Sequence, residues 1–348
     1  MATMKSNPGN YFEDFHVGRD LVHATPLTVS EGDIALYRAL TGSRHAIYSS
    51  AEFAKTNGFD RMPLDPLLAF HVVFGKTVPD ISLNAVANLG YAEGRFPIGV
   101  YPGDTLRAVS TVIGRKENSN GKTGVVWVRT RGLNQNDEEV MSYVRWVMVH
   151  KRDPASPAPE AVIPDLLPAV PGESLSSSWS YGNWDDALAG SPHRFEDYEV
   201  GEKIDHVDGM TVEEAEHQIA TRLYQNTAKV HFDAHAQKDS RFGKRLIYGG
   251  VVISIARALS FNGLANAAEM MAINAGTHAG PLFAGDTVYA WSEVLDKAEL
   301  SDTVGALRLR LVAAKDQDVS TFPLKGEDGK YLPGVLLDFD YWAAIPRR

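Results

Sequence analysis

Apolar and polar residues alternate through residues 105–113, 124–132 and 140–149, and again through 287–295, 305–314 and 335–341. Alternation with period two predicts strands that bury one face. In the second run Val126, Val128 and Thr130 fall on one side, and Val125, Trp127 and Arg129 on the other. Asn134-Gln135-Asn136-Asp137 separates that run from the third. It predicts a hairpin turn, because Asn and Asp side chains bond their own backbone. Residues 325–329 lie in the matching connection of the later set. Two helical stretches precede each set of strands: residues 32–40 and 66–75, then 212–224 and 250–264. The second of each pair is strongly apolar, which predicts burial. One buried helix followed by long antiparallel strands gives an α+β fold, a sheet wrapped round a central helix.

The pattern is written twice. Phe12-Glu13-Asp14-Phe15-His16-Val17-Gly18 returns as Phe195-Glu196-Asp197-Tyr198-Glu199-Val200-Gly201, with five of seven positions identical at an offset of 183. Tyr101-Pro102-Gly103-Asp104-Thr105-Leu106 matches Phe283-Ala284-Gly285-Asp286-Thr287-Val288 at an offset of 182. Two matches at nearly one offset mark a duplicated domain, and 348 residues is a length for two. Six prolines between Asp153 and Gly172 exclude a helix or an interior strand there. The expected division is therefore an N-terminal domain over 1–153, a Pro-rich linker over 154–192 and a C-terminal domain over 193–348. Trp179, Tyr181 and Trp184 predict that the later part of the linker packs on a surface.

Composition narrows the function. Apolar residues make up 44% and charged residues 22%, which suits a sizeable core and excludes general disorder. The net charge of −10 opposes nucleic-acid binding, which needs a basic face. The chain has no cysteine. That removes disulfides, thiolate metal sites and cysteine nucleophiles, and fits a reducing cytoplasm. Residues 1–9 lack the apolar core of a leader, and no run approaches the roughly 18 apolar residues of a membrane span. No P-loop, dinucleotide fingerprint, zinc-protease helix or nucleophile elbow is present. His231 and His235 have i, i+4 spacing without a third ligand, so no metal is expected. Met270-Met271 reads as core filling.

Two short segments carry the chemistry. The second half reads Tyr224-Gln225-Asn226-Thr227-Ala228-Lys229-Val230-His231-Phe232-Asp233. The first reads Thr41-Gly42-Ser43-Arg44-His45-Ala46-Ile47-Tyr48, then Phe53-Ala54. Both frames resemble the Gly-Asp-x-Asn-Pro-(Ile/Leu)-His motif of the MaoC-like hydratases of the hotdog superfamily. The resemblance covers nearly the whole chain and implies a tandem hotdog. It puts His231 at the catalytic histidine and Asn226 at the catalytic aspartate, a departure from the family. In the first half Ser43 and Tyr48 stand at those places, so that copy keeps the frame and loses the chemistry. Tyr248-Gly249-Gly250-Val251 occupies the place of the family's His-Gly turn, where the first half has Leu64-Asp65-Pro66-Leu67. Longer runs, residues 71–82, 84–91, 116–124 and 231–233, are similar to a branch that hydrates a methyl-branched C4-dicarboxylic enoyl-CoA.

Adding water to an enoyl thioester needs a base, a proton for the α-carbon and a cradle for the developing oxyanion. The resemblance makes His231 the base, with a satisfied structural histidine as the bland alternative. An amide cannot carry a proton at neutral pH but can hold water, which assigns Asn226 to orient it. Asp233 and Asp65 are the candidate second carboxylates; a cap and a turn aspartate are their ordinary roles. Tyr248, Gly249 and Gly250, at a helix start, suit the oxyanion, though a tight turn also explains paired glycines. Arg241, Lys244 and Arg245 form the best basic run for the CoA phosphates. Arg44, His45 and Tyr48, in the vacated motif, are expected to line the acyl pocket and meet the free carboxylate.

The expected partner is an acyl-CoA substrate, with CoA part of the substrate and no separate cofactor. Nucleic acid and membrane are not expected, and assembly into a homo-oligomer stays open. Because one fold hosts several reactions, a thioesterase and a non-catalytic acyl-thioester binder stand as alternatives to a hydratase.

Overall fold

The computed structural model describes residues 5–177 and 179–348. Residues 1–4 of the segment read for a leader, and Ser178 of the linker, lie outside the described residues. The first half contributes β1 (Asp20–Thr28), β2 (Ala85–Arg95), β3 (Thr105–Glu117), β4 (Thr123–Leu133) and β5 (Glu139–His150). The second contributes β6 (Lys203–Thr211), β7 (Glu269–His278), β8 (Thr287–Glu299), β9 (Val304–Lys315) and β10 (Val335–Pro346). These ten strands form one antiparallel sheet in the order β1-β3-β4-β5-β2-β7-β10-β9-β8-β6. The order repeats about the middle, where β2 and β7 pair through Gly94 with Ile273 and Arg95 with Ala272. The duplicated halves therefore share a single sheet.

The helix Pro66–Thr77 buries eleven of its twelve residues, and Gly249–Leu259 buries all but Gly249. Each fully buried Leu, Val or Phe contributes roughly 1.5–3 kcal/mol, which explains why these helices are apolar on every side. Pro66 sits in the first turn, where its missing N–H costs nothing, and the Asp65 carboxylate caps the helix by accepting from Leu67 N–H at 2.9 Å. The duplication persists in buried detail. His23 Nε2 lies 2.8 Å from Ser110 Oγ, and His206 Nε2 lies 2.8 Å from Ser292 Oγ.

Four strands went unpredicted: β1, β2, β6 and β7. The first and last in the sheet order are edges, mostly exposed, with Pro26 and Gly209 breaking their pattern. The central pair carries little alternation because both faces are covered in places. The helix expected to reach residue 264 stops at Leu259. Asn262 and Gly263 leave helical geometry there, and the Asn262 carbonyl accepts from His206 Nδ1 at 2.7 Å.

The Pro-rich segment is a strap fastened to both halves. Val162 exchanges backbone bonds with Arg115 of β3. Val170 N–H donates to Asn274 Oδ1, and the Val170 carbonyl accepts from Trp342 Nε1. Further on, Trp179 stacks on Phe59 at 3.9 Å, Tyr181 donates to Glu269, and Trp184 Nε1 donates to Asn266.

Candidate active site

A cavity of about 480 Å³ lies between the halves. The first half supplies wall residues from its central helix, β2 and β5. The second supplies the turn Lys229–Phe232, the start of the helix Gly249–Leu259 and the end of β7. Val86, Ala87, Arg241 and Phe242 are exposed along its rim, whereas Phe74, Arg145, Asn226 and Tyr248 are buried.

His231 lies in that turn, which Leu246 pins by donating its N–H to the Val230 carbonyl at 3.0 Å. His231 Nδ1 is 3.0 Å from the Leu246 carbonyl. A carbonyl only accepts, so Nδ1 carries the proton and Nε2 keeps its lone pair. Burial outweighs this bond and pulls the imidazole pKa down to about 4, leaving it neutral at pH 7. Asn226 is buried and lines the same cavity. Its Oδ1 accepts from Ala228 N–H at 3.1 Å, so its Nδ2 donors remain for a guest. Gln225 before it has φ 55°, the left-handed conformation for which the family motif places Gly.

Gly249 is the first residue of the second central helix, and its N–H and that of Gly250 have no acceptor among the described residues. A Cβ on Gly249 would come within 2.4 Å of the His278 ring. Gly250 does not line the cavity; the rings of Tyr248 and His71 fill the space a side chain would need. The Tyr248 N–H is already donated to His217 Nε2 at 3.0 Å, so only its hydroxyl, which has no partner, is left to the cavity.

Several expected residues lie elsewhere. Asp233 caps a turn by accepting from Ala236 N–H, and Asp65 caps the first central helix; neither lines the cavity. Arg245 is committed to Glu214 at 2.7 Å and to Gln218, whereas Arg241 stands on the rim and Lys244 is exposed beside Phe283. Arg44 is exposed, over Phe261 and facing Asp208, and buried His45 accepts from Arg257. Tyr48 lines a separate cavity of about 40 Å³ with Pro66, Trp179 and Glu269. Each copy of the motif sits at the start of its own central helix, so the vacated site does not form part of the His231 cavity. In the first copy a proline without an N–H also stands where the second has Gly249.

Sequence reasoning missed His278, Tyr91, His217, Asn88 and Arg145. His278 Nε2 is 3.2 Å from the Tyr91 hydroxyl, and both line the cavity. Burial, with His231 nearby, lowers the His278 pKa to about 4. His217 crosses His231 edge-on at 6.3 Å. Asn88 and Tyr91 lie in the run 84–91, where they were given no role, and His278, His217 and Arg145 belong to no local motif. Arg145 had a signal: a lone charge between Val144 and Trp146 in a run read as a half-buried strand.

The fold and this site define a double-hotdog protein of the MaoC-like dehydratase class. A Mycobacterium tuberculosis protein described as a double hotdog superposes with TM-score 0.76 over 98% of this chain and 99% of its own, at 23% identity. A MaoC domain dehydratase from Chloroflexus aurantiacus gives TM-score 0.98 at 58% identity, over 99% and 100% of the two chains. Residues 2–164 match the family described as mesaconyl-CoA hydratase, and residues 195–314 match the MaoC like domain. Mesaconyl-CoA hydratase of Cereibacter sphaeroides is 65% identical over 99% of this chain and 100% of its own. β-Methylmalyl-CoA dehydratase of Chloroflexus aurantiacus is 59% identical over 99% of each. The chain belongs to the mesaconyl-CoA hydratase family.

Proposed function

We propose that this protein is a hydro-lyase that adds water reversibly across the conjugated double bond of mesaconyl-CoA to give β-methylmalyl-CoA. The observation that carries the reading is the meeting, in one cavity, of a bare imidazole Nε2, amide donors and a helix start with the free Gly249 N–H. Asn226 Nδ2 donates to the water oxygen while His231 Nε2 takes a water proton. The oxygen bonds to the β-carbon, and the π electrons move toward the thioester oxygen. The Gly249 N–H, at the positive end of its helix, stabilises that developing charge. The imidazolium then gives its proton to the α-carbon, so one H and one OH are added with no change of redox state. In this reading the CoA phosphates meet Arg241 on the rim, with exposed Lys244 beyond it.

One assay tests the reading. The protein is mixed with mesaconyl-CoA while enoyl-thioester absorbance and free thiol are followed together. Loss of absorbance without thiol is expected. Thiol release would make the protein a thioesterase, and no change in either signal would leave it a binder.

A further inference from the structure

Arg145 is wholly buried and lines the cavity of His231, yet among the described residues no carboxylate pairs with it. Its Nη1 and Nη2 donate to hydroxyls, Ser82 Oγ at 3.0 Å and Thr77 Oγ1 at 2.7 Å, and its Nε–H has no acceptor. The second half shows what a purely structural buried arginine looks like in this fold. Arg257 takes the helix position that Phe74 has in the first half, and lies 5.6 Å from the ring of Tyr341. Tyr341 is the seventh residue of β10, as Arg145 is of β5, so cation and ring have changed places. Arg257 donates to two carbonyls, Ala267 and Ala268, and to Ser260 and His45. The two terminal nitrogens of Arg257 thus make four hydrogen bonds, whereas those of Arg145 make two.

The neighbours of Arg145 are also short of partners. Asn88 stands across from Val147 in the β2–β5 register, two residues from Arg145 along the strand. Neither polar atom of its buried amide has a partner, and the Tyr248 hydroxyl has none either. All three groups line one cavity. Arg145 lies 4.2 Å over the Phe74 ring, Phe74 is 5.7 Å from Tyr248, and Tyr248 is 5.5 Å from His231. A buried cation and unpaired donors are costly unless a ligand satisfies them. A carboxylate fits, since guanidinium, amide and phenol can all donate to its oxygens.

We propose that Arg145, with Asn88 and Tyr248, is the receptor for the free carboxylate of the acyl group. The inference rests on the dicarboxylic enoyl-CoA reading given above. In that substrate the free carboxylate is attached to the carbon that water attacks. Arg145 therefore selects the dicarboxylic chain, and it also offsets the charge that would repel the incoming oxygen.

The test compares mesaconyl-CoA with a monocarboxylic enoyl-CoA, crotonyl-CoA, on the full-length wild type, Arg145→Met and Arg145→Lys. Arg145→Met is expected to lose about 10²-fold or more in kcat/KM for mesaconyl-CoA, the size seen when one partner of a buried charge pair is removed. Its kcat/KM for crotonyl-CoA should hold or rise, and Arg145→Lys should recover part of the loss. An equal fall with both substrates, or an unchanged ratio between them, would overturn the proposal. If the variants do not fold, the wild type is given mesaconyl-CoA methylated on its free carboxyl group. The neutral ester should react at least as poorly as crotonyl-CoA, and equal use of ester and acid would overturn the proposal. A wild type that hydrates neither substrate would instead defeat the hydratase reading.

Discussion

His231 is half-buried, and loss of solvation holds its imidazole neutral even though the Nδ1–H bond to the Leu246 carbonyl works the other way. An ordinary histidine base would be half protonated near pH 6.5 and would lose activity there. With a folded pKa of about 4, His231 stays bare through that range and is lost as base only as pH falls toward 4. The acid limb of kcat/KM, measured by brief pH jumps, should therefore be flat from pH 7 to about 5.5. A half-loss near pH 6.5 would assign the base to an unperturbed group. Asn226 is the residue most legible and least expected. The motif frame located it, but only the bond from Ala228 N–H shows that its oxygen is engaged and its donor end left to the cavity. The other polar groups of the His231 cavity could not be read from sequence, because His278 and Arg145 reach it from separate strands.

Between elements, the site depends on how closely the first central helix approaches the segment that carries Asn226. Gly75 makes that approach: a Cβ there would fall 1.7 Å from the Tyr224 carbonyl oxygen. The helix is buried and cannot move aside freely. Gly75→Ala should cost about 1–3 kcal/mol in denaturant unfolding, the usual range for overfilling a core, and should lower kcat by shifting Asn226. Unchanged stability and turnover would show that the two elements are loosely joined. The alternating runs announced six of the ten strands, and the apolar stretches announced both central helices. The remaining strands were hidden for opposite reasons. Edge strands are exposed and need no buried face, whereas β2 and β7 lie in the middle of the sheet and lack strict alternation. The strap was read as extended from its prolines, but its fastening through Val170 and Trp184 depends on residues about a hundred positions away.

Over the whole molecule, duplication separates keeping a shape from keeping a reaction. The second copy retains an imidazole and a free helix N–H in a cavity of about 480 Å³. The first copy has Tyr48 and Pro66 in those places, beside a cavity of about 40 Å³. It still builds one wall of the larger cavity from β2 and β5. The most direct measurement is therefore turnover of mesaconyl-CoA by His231→Ala and Tyr48→Phe side by side. His231→Ala should lose at least about 10²-fold in kcat, while Tyr48→Phe should stay within about threefold of the wild type. Near-normal turnover in His231→Ala, or its collapse in Tyr48→Phe, would contradict this division between the copies.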